Sequence, residues 1–507
     1  MDQKIGKIAH PGRLIFIVAA LVVLLVPSFF GHAEHGEPLG LSLPLWSCIP
    51  FLGMLLSIAI FPLVKPHWWE HNLLNVAFVW SLVFLVPFAI FFGPVSAGFQ
   101  FFEILLLDYL PFIVLLWGLF AVSGGIVLKG SLRGTPKVNI ILLLIGTLLA
   151  SWVGTTGASM LMIRPVLRAN KWREKRAHVI VFFIFLVSNI GGCLTPIGDP
   201  PLFLGFLRQV PFFWTMRLLP MLIVNSVVLL VVFFFLDRRL YKKELAAGRS
   251  PDAEGAADGQ KGNESTGLGA DEGGIRVEGL HNLVFIAMIV GAVILSGILG
   301  TMPALQDAHT GTIIGIPFAY GIHIPLNNAI QMLIILIAGI LSLKTTRKEL
   351  HEQNHFTWGP IKEVASLFIG IFITMIPALA ILNARGAELG LGEPWQFFWV
   401  TGALSSFLDN APTYLVFMTT AAALPTAEGL ATTVGIIAPQ LLLAVSAGAV
   451  FMGANTYIGN APNFMVRSIA EEDNVKMPSF FGYMSWSGRF LVPLFLIDTL
   501  IFFVLMQ

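Results

Sequence analysis

Apolar segments long enough to cross a bilayer follow one another along almost the whole chain, separated by short polar clusters, and this alternation predicts a bundle of spanning helices. The first half reads as helices near 14–30, 45–64, 73–96 and 109–128. A pair of short apolar arms at 138–168 comes next, then a helix broken in its middle at 178–208 and a full helix at 212–236. Residues 237–280 are rich in Gly, Ala, Asp, Glu and Ser and poor in large apolar side chains, the composition of a disordered linker on the cytoplasmic side. The second half runs through 281–300, 326–343 and 361–383, a second short-armed pair at 395–424, a second broken helix at 436–470 and a last helix at 480–505. The predicted organisation is an N-terminal helix with an external loop over 1–44, a first repeat over 45–236, the linker, and a second repeat over 281–507.

The two broken helices carry one pattern. In SNIGGCLTPIGDPPLFL (Ser188 to Leu204) and GANTYIGNAPNFMV (Gly453 to Val466), Gly198 matches Gly459, Asp199 matches Asn460 and Pro201 matches Pro462. Gly and Pro inside an apolar helix free backbone carbonyls and amides that lipid cannot satisfy, so each break must be buried in protein or line a wet cavity. Paired breaks in corresponding halves point to the binding site of a transporter.

Charge sets the orientation. With the N-terminus inside and each short-armed pair entering and leaving on one side, all but Arg208, Arg217 and Arg385 of the 30 Lys and Arg residues fall in cytoplasmic segments. If 138–168 crossed the membrane, the later basic clusters would flip outwards, so the asymmetry favours re-entrant hairpins and two inverted copies. Lys4, Lys7 and Arg13 ahead of residues 14–30 also resemble a signal peptide, and we favour a retained helix. A composition 56% hydrophobic and 12% charged is that of an all-α polytopic membrane protein, multi-pass in an inner (plasma) membrane. A net charge of +1, with its cations sorted by side, gives nucleic acid no patch to bind. Cys48 and Cys193 lie far apart in apolar segments and read as free thiols, so neither a disulfide nor a cysteine metal site is expected.

Four breaks carry the candidate chemistry. The first hairpin turns at GTTGAS (Gly154 to Ser159), the second at SSFLDNAPT (Ser405 to Thr413, with Pro412 at the break), and the broken helices at 188–201 and 453–462. Hydroxyls, Asn carbonyls and unwound backbone oxygens are hard ligands suited to sodium, while half-helix amino ends favour anions. Asp199 and Asp409 tip the balance towards a cation. A carboxylate at midplane depth costs on the order of 3 kcal/mol and is a functional candidate by default. Such a group holds a proton or a sodium ion, but poorly both. Either acid could instead simply cap the half-helix that follows it. Asn189 and Asn455 are expected to bond the broken backbone. Arg164 is expected to snorkel to the cytoplasmic interface, and Glu103, Asp108 and Asp498 to sit at membrane ends. His32, Glu34, His35 and Glu37 form a loose HAEHGE cluster without the helical setting of a metalloprotease. An intramembrane aspartyl protease would need its two acids within hydrogen-bond reach; no Ser/His dyad stands out either, so no enzyme activity and no cofactor is expected.

GTTGASMLMIRPVLRANKWR, SNIGGCLTPIGDPP, SSFLDNAPTYLVF and ANTYIGNAPNF resemble the signature segments of the ion transporter superfamily, in particular NhaD-type sodium/proton antiporters and the neighbouring citrate-transporter-like proteins. The resemblance implies an elevator-type homodimer whose site is lined by Thr155, Thr156, Asn189, Asp199, Asp409, Asn410, Thr413, Asn455 and Asn460. Carboxylate symporters of the superfamily carry Ser-Asn-Thr at the hairpin tips, where this chain has Gly-Thr-Thr-Gly and Asp-Asn-Ala-Pro-Thr. The expected activity is therefore exchange of cytoplasmic sodium for external protons, with Asp409 and Asp199 as shared carriers. The alternative is sodium-coupled uptake of citrate, a dicarboxylate or another anion such as arsenite.

Overall fold

The computed structural model describes residues 39–129, 132–249, 276–307, 313–354, 356–426 and 428–506. The predicted helix at 14–30, the HAEHGE cluster and the middle of the predicted linker lie outside them. Among the described residues ten helices are long and apolar enough to cross a membrane. Strand among these residues is confined to three two-stranded antiparallel ribbons.

The chain opens with α1 (Ile49–Val64), α2 (Pro66–Phe92) and α3 (Pro94–Ser123, with a π-helical stretch at Ile104–Tyr109). The first hairpin follows as α4 (Pro136–Val153) and α5 (Thr155–Ala169). The first broken helix consists of α6 (Ala177–Leu186), a 3-10 turn at Ile190–Leu194 and α7 (Pro200–Leu207), and α8 (Leu219–Ala246) closes the half. The second half repeats the order: α9 (Asn282–Gly300), α10 (Leu326–Thr345) and α11 (Gly359–Arg385), then the hairpin α12 (Pro394–Ser405) and α13 (Asn410–Ala422). The second broken helix is α14 (Pro439–Met452), a 3-10 turn at Gly453–Asn455 and α15 (Ala461–Glu472), and α16 (Phe480–Leu500) ends the series. At 1.5 Å per residue, the 12 residues of α12 and 13 of α13 span only about 20 Å, too short for a hydrocarbon layer of about 30 Å.

Burial divides the helices into two kinds. The segment Ala177–Leu194 is 89% buried, although it is as apolar as the helices facing outwards. A helix apolar on every side and covered on every side belongs inside the protein. Its counterpart α14 is covered in the same manner, with Ala444, Val445, Ala449, Val450 and Phe451 wholly buried. In contrast, α1, α2, α8 and α16 leave Leu52, Val79, Phe235 and Leu496 open, the pattern of surfaces that face lipid. Helices α1, α2, α3, α9, α10 and α11 pack among themselves, and the hairpins and broken helices pack on one another around α6 and α14. The two groups meet where α13 lies on α11 and α5 on α3.

Two sequence expectations are corrected. The predicted linker at 237–280 is ordered at both ends: α8 continues to Ala246, and Arg276–Glu278 pairs as a strand with Val127–Lys129. Composition marked Asp237 and the basic residues after it as solvated, but Asp237 is fully buried. It forms an ion pair with Arg173 and accepts hydrogen bonds from Asn139 Nδ2 at 3.0 Å and His178 Nε2 at 2.8 Å. Asp108 and Asp498, expected near membrane ends, are likewise buried within protein. Asp108 is bound by Arg208 at 2.9 Å and Asp498 by Asn225 at 2.9 Å, while Glu103 is half-buried one turn before Asp108. Hydropathy reports depth and cannot say that a side chain points inwards.

Candidate ion-binding site

The breaks are held by short hydroxyl side chains that take over the freed backbone groups. In the first half, Ser151 Oγ donates to Gly191 O at 2.5 Å and accepts from Leu194 N at 3.0 Å, and Thr195 Oγ1 donates to Ser151 O. In the second, Ser405 Oγ donates to Ala449 O at 2.7 Å, Ser406 Oγ to Met452 O at 3.0 Å, and Thr456 Oγ1 to Ser406 O. The approach of the two arms of each break needs glycine. A Cβ on Gly198 would lie 2.0 Å from Gly192 O, and one on Gly459 2.5 Å from Gly453 O. Ser151 thus plays the part of Ser406, Thr195 of Thr456, and Gly198 of Gly459, so the internal repeat extends to individual hydrogen bonds. Gly154, with φ +79°, lets the first hairpin reverse between α4 and α5, and Thr155 N donates to Gly198 O at 2.8 Å, fastening hairpin to break.

All four breaks converge on one carboxylate. Asp199, 1% exposed at the start of α7, accepts from Thr155 Oγ1 at 2.9 Å and Asn460 Nδ2 at 3.1 Å on Oδ1, and from Asn410 Nδ2 at 2.6 Å on Oδ2. Each partner stands at the amino end of a different half-helix: Thr155 opens α5, Asn410 opens α13 and Asn460 immediately precedes α15. Four helix amino ends therefore aim at one negative charge, each worth about 0.3–1 kcal/mol in favour of the anion. Asn410 Oδ1 is buried beside them without a partner.

The geometry separates the two acids that the sequence left equivalent. Asp199 makes no capping hydrogen bond from its side chain, whereas Asp409 caps α13, its Oδ1 accepting from Ala411 N at 3.1 Å. They share no hydrogen-bond partner, which is not the arrangement of a protease dyad. Asn189 lies one layer behind the hub, donating to Ile184 O at 2.8 Å and to Asn463 Oδ1 at 2.7 Å, while its Oδ1 receives Asn460 Nδ2 at 3.3 Å. Asn455 is turned away, donating to Ser406 Oγ at 2.9 Å. Thr413 Oγ1 donates to Asp409 O at 2.9 Å within its own helix. Thr156 lines a cleft of about 50 Å³ with Leu119, Phe120, Pro360 and Ile361. Pro201, Pro412 and Pro462 each lie in the first turn of a half-helix, and Gly198 and Gly459 at the close approaches already described. Further along α5, Arg164 and Arg168 line a larger cavity of about 620 Å³ together with Glu472, Asp473, Gln353 and Asn354.

Asn463 went unnoticed in the sequence, yet it bonds Gly453 O and Thr456 O at 2.9 Å each and ties the second break to Asn189 of the first. Its position three residues after Asn460, on the same helix face, was the available signal. Among the described residues no three His, Cys, Asp or Glu side chains come together as a metal-ligand set.

No curated protein matches the chain. Over residues 40–503 it matches the family CitMHS_2, described as "Putative citrate transport". The match spans both hairpins, both breaks and every residue of the hub, and the protein is accordingly a membrane transporter that belongs to this citrate-transport family.

Proposed function

We propose that the protein exchanges sodium for protons, with Asp199 as the residue that carries the one or the other. The observation that supports this most is the charge at the hub: one buried carboxylate, three neutral amide or hydroxyl partners and, among the described residues, no Lys or Arg in hydrogen-bond contact with it. A cation entering here meets Asp199, Thr155 Oγ1 and the unpartnered Asn410 Oδ1, all hard oxygens. A di- or tricarboxylate would meet a like charge. Its usual recourse, the amides of helix first turns, is depleted because Pro200, Pro201, Pro412 and Pro462 have no N–H to offer. Asp409, one residue before Asn410, adds negative charge beside the hub while it caps α13. The two halves would lie inverted in the membrane, so that the cavity beside Arg164 forms the approach from the cytoplasmic side. By family resemblance the unit would work as a homodimer, its hairpin and broken-helix body sliding against α1–α3 and α9–α11.

Sodium-coupled uptake of citrate or a related anion is the second reading. The family description favours it, as do Arg164 and Arg168 on the face of α5 that leads away from Thr156. Proteoliposomes loaded with a pH-sensitive dye separate the two. Sodium-driven proton movement without citrate supports exchange; labelled citrate uptake that requires sodium and moves no protons overturns it.

A further inference from the structure

Asp498 on α16 is 0% exposed and takes no part in the hub. Its Oδ2 accepts from Asn225 Nδ2 of α8, itself 0% exposed, at 2.9 Å. Asp498 Oδ1 and Asn225 Oδ1 are both buried without a partner. No ion pair among the described residues includes Asp498.

The elements packed around it offer no compensating charge. Helix α12 has no titratable residue, and α6 has only His178, which faces Asp237. On α8 the ionisable groups begin at Asp237, 12 residues and about 18 Å from Asn225. On α16 itself, Tyr483 donates to Ala454 O and Arg489 is exposed. An ionised carboxylate in this place would be a buried charge facing a second acceptor, at a cost of several kcal/mol.

One proton resolves both unpartnered atoms. Placed on Asp498 Oδ1, it turns an acceptor into a donor, and the acceptor left open on the opposing amide is Asn225 Oδ1. The amide then donates through Nδ2 and accepts through Oδ1, and the acid does the reverse. We propose that Asp498, paired with Asn225, is a proton-binding site separate from the Asp199 hub. The proton joins α8 to α16, the closing helices of the two halves, and its release leaves a bare charge between them. This site stands whichever substrate the hub carries.

Infrared difference spectroscopy on the full-length protein in liposomes, in H₂O and D₂O at neutral pH, reads the site directly. The carbonyl band of a protonated, exchangeable carboxyl is expected in the wild type, lost in Asp498→Asn and kept in Asp199→Asn. Asn225→Leu, which leaves the acid but removes its amide partner, is expected to shift that band and to decide the matter should Asp498→Asn not fold. A band unchanged in both Asp498→Asn and Asn225→Leu, or an ionised Asp498 at neutral pH, overturns the proposal. In thermal melts, the wild type is expected to lose stability as the pH rises from about 4 towards neutrality, where the unfolded acid is ionised and the folded one keeps its proton, while Asp498→Asn does not; equal losses count against the site.

Discussion

Replacing Asp199 with Asn removes the hub's charge while keeping nearly all of its shape. The carboxylate accepts three hydrogen bonds, and bonds to an ionised acceptor contribute about 1.5–3 kcal/mol each. The new amide oxygen can retain Thr155 and Asn460, both on Oδ1. Its NH₂ then faces Asn410 Nδ2, a clash of two donors that Asn410 can relieve by turning its amide over, because its Oδ1 has no partner to lose. The variant therefore gives up charge assistance but few hydrogen bonds, and it is spared the burial of a charge. We expect it to fold with stability within about 2 kcal/mol of the wild type. Asp199→Leu, by contrast, strands two buried donors, Thr155 Oγ1 and Asn410 Nδ2, at about 1–3 kcal/mol apiece, while Asn460 Nδ2 keeps Ser188 O and Asn189 Oδ1, and it is expected to insert poorly. The assay is thermal unfolding against sodium concentration, run beside proteoliposome exchange. At a sodium concentration 100 times its Kd, a ligand that binds only the native state adds about 2.7 kcal/mol. The wild type should gain that increment and Asp199→Asn should gain none and exchange nothing. A folded Asp199→Asn protein that still shows pH-dependent sodium flux refutes the assignment of the hub.

Gly198→Ala is expected to abolish transport and lower expression, since its Cβ would fall 2.0 Å from the carbonyl oxygen of Gly192 and backbone cannot swing aside; Gly291→Ala, with open space at the same position, serves as the control in a detergent-stability assay. His351 lies in the short helix Lys348–Gln353, outside the spanning segments, packed against Phe356 with ring centroids 4.9 Å apart. Burial holds its imidazole below the usual 6.5. A depressed histidine favours the neutral form on folding, so its contribution is present above the unfolded value and is lost as the pH falls below about 6.5. His351→Phe should flatten melting temperature against pH in that acid range, and an unchanged slope would exclude His351 as its source.

The positions of the breaks were legible because Gly and Pro stand out in an apolar run: Gly154, Gly198, Pro201, Asp409 and Gly459 all lie where the pattern put them. The hydroxyls that make the breaks tolerable were not singled out. Ser151 looks like an ordinary helix residue, and Thr195 and Thr456 like ordinary members of the breaks, until the tertiary fold gives each a carbonyl from another segment. Asn189 and Asn455 share one expectation in the sequence, to bond the broken backbone, but the register that matches Gly198 to Gly459 matches Asn455 to Leu194, and the two amides do different work. Asp237 shows the limit of composition, because a charged stretch at a helix end reads as solvated whether or not Arg173 lies above it.

The repeat also conceals an asymmetry that fixes where the charge can reside. Asp199 and Asn460 are equivalent in register, so exchanging them through Asp199→Asn with Asn460→Asp would conserve composition, charge and repeat. Their surroundings are opposite in kind. Position 199 is approached by three donors, whereas position 460 faces three acceptors: Ser188 O at 3.2 Å, Asn189 Oδ1 at 3.3 Å and Asp199 Oδ1 at 3.1 Å. Asn189 cannot turn over to help, because its Nδ2 already holds Ile184 O and Asn463 Oδ1. A carboxylate at 460 would still be buried against Ser188 O and Asn189 Oδ1, with only the amide now at 199 able to turn and donate to it in place of three donors, and losing its stabilising partners costs about 3–5 kcal/mol by the measure of broken buried pairs. The double variant should therefore be less stable than Asp199→Asn alone and equally inactive in sodium-driven proton exchange. Restored exchange would mean that the hub needs only one negative charge somewhere within it, and that the donors gathered on Asp199 are not what selects its place.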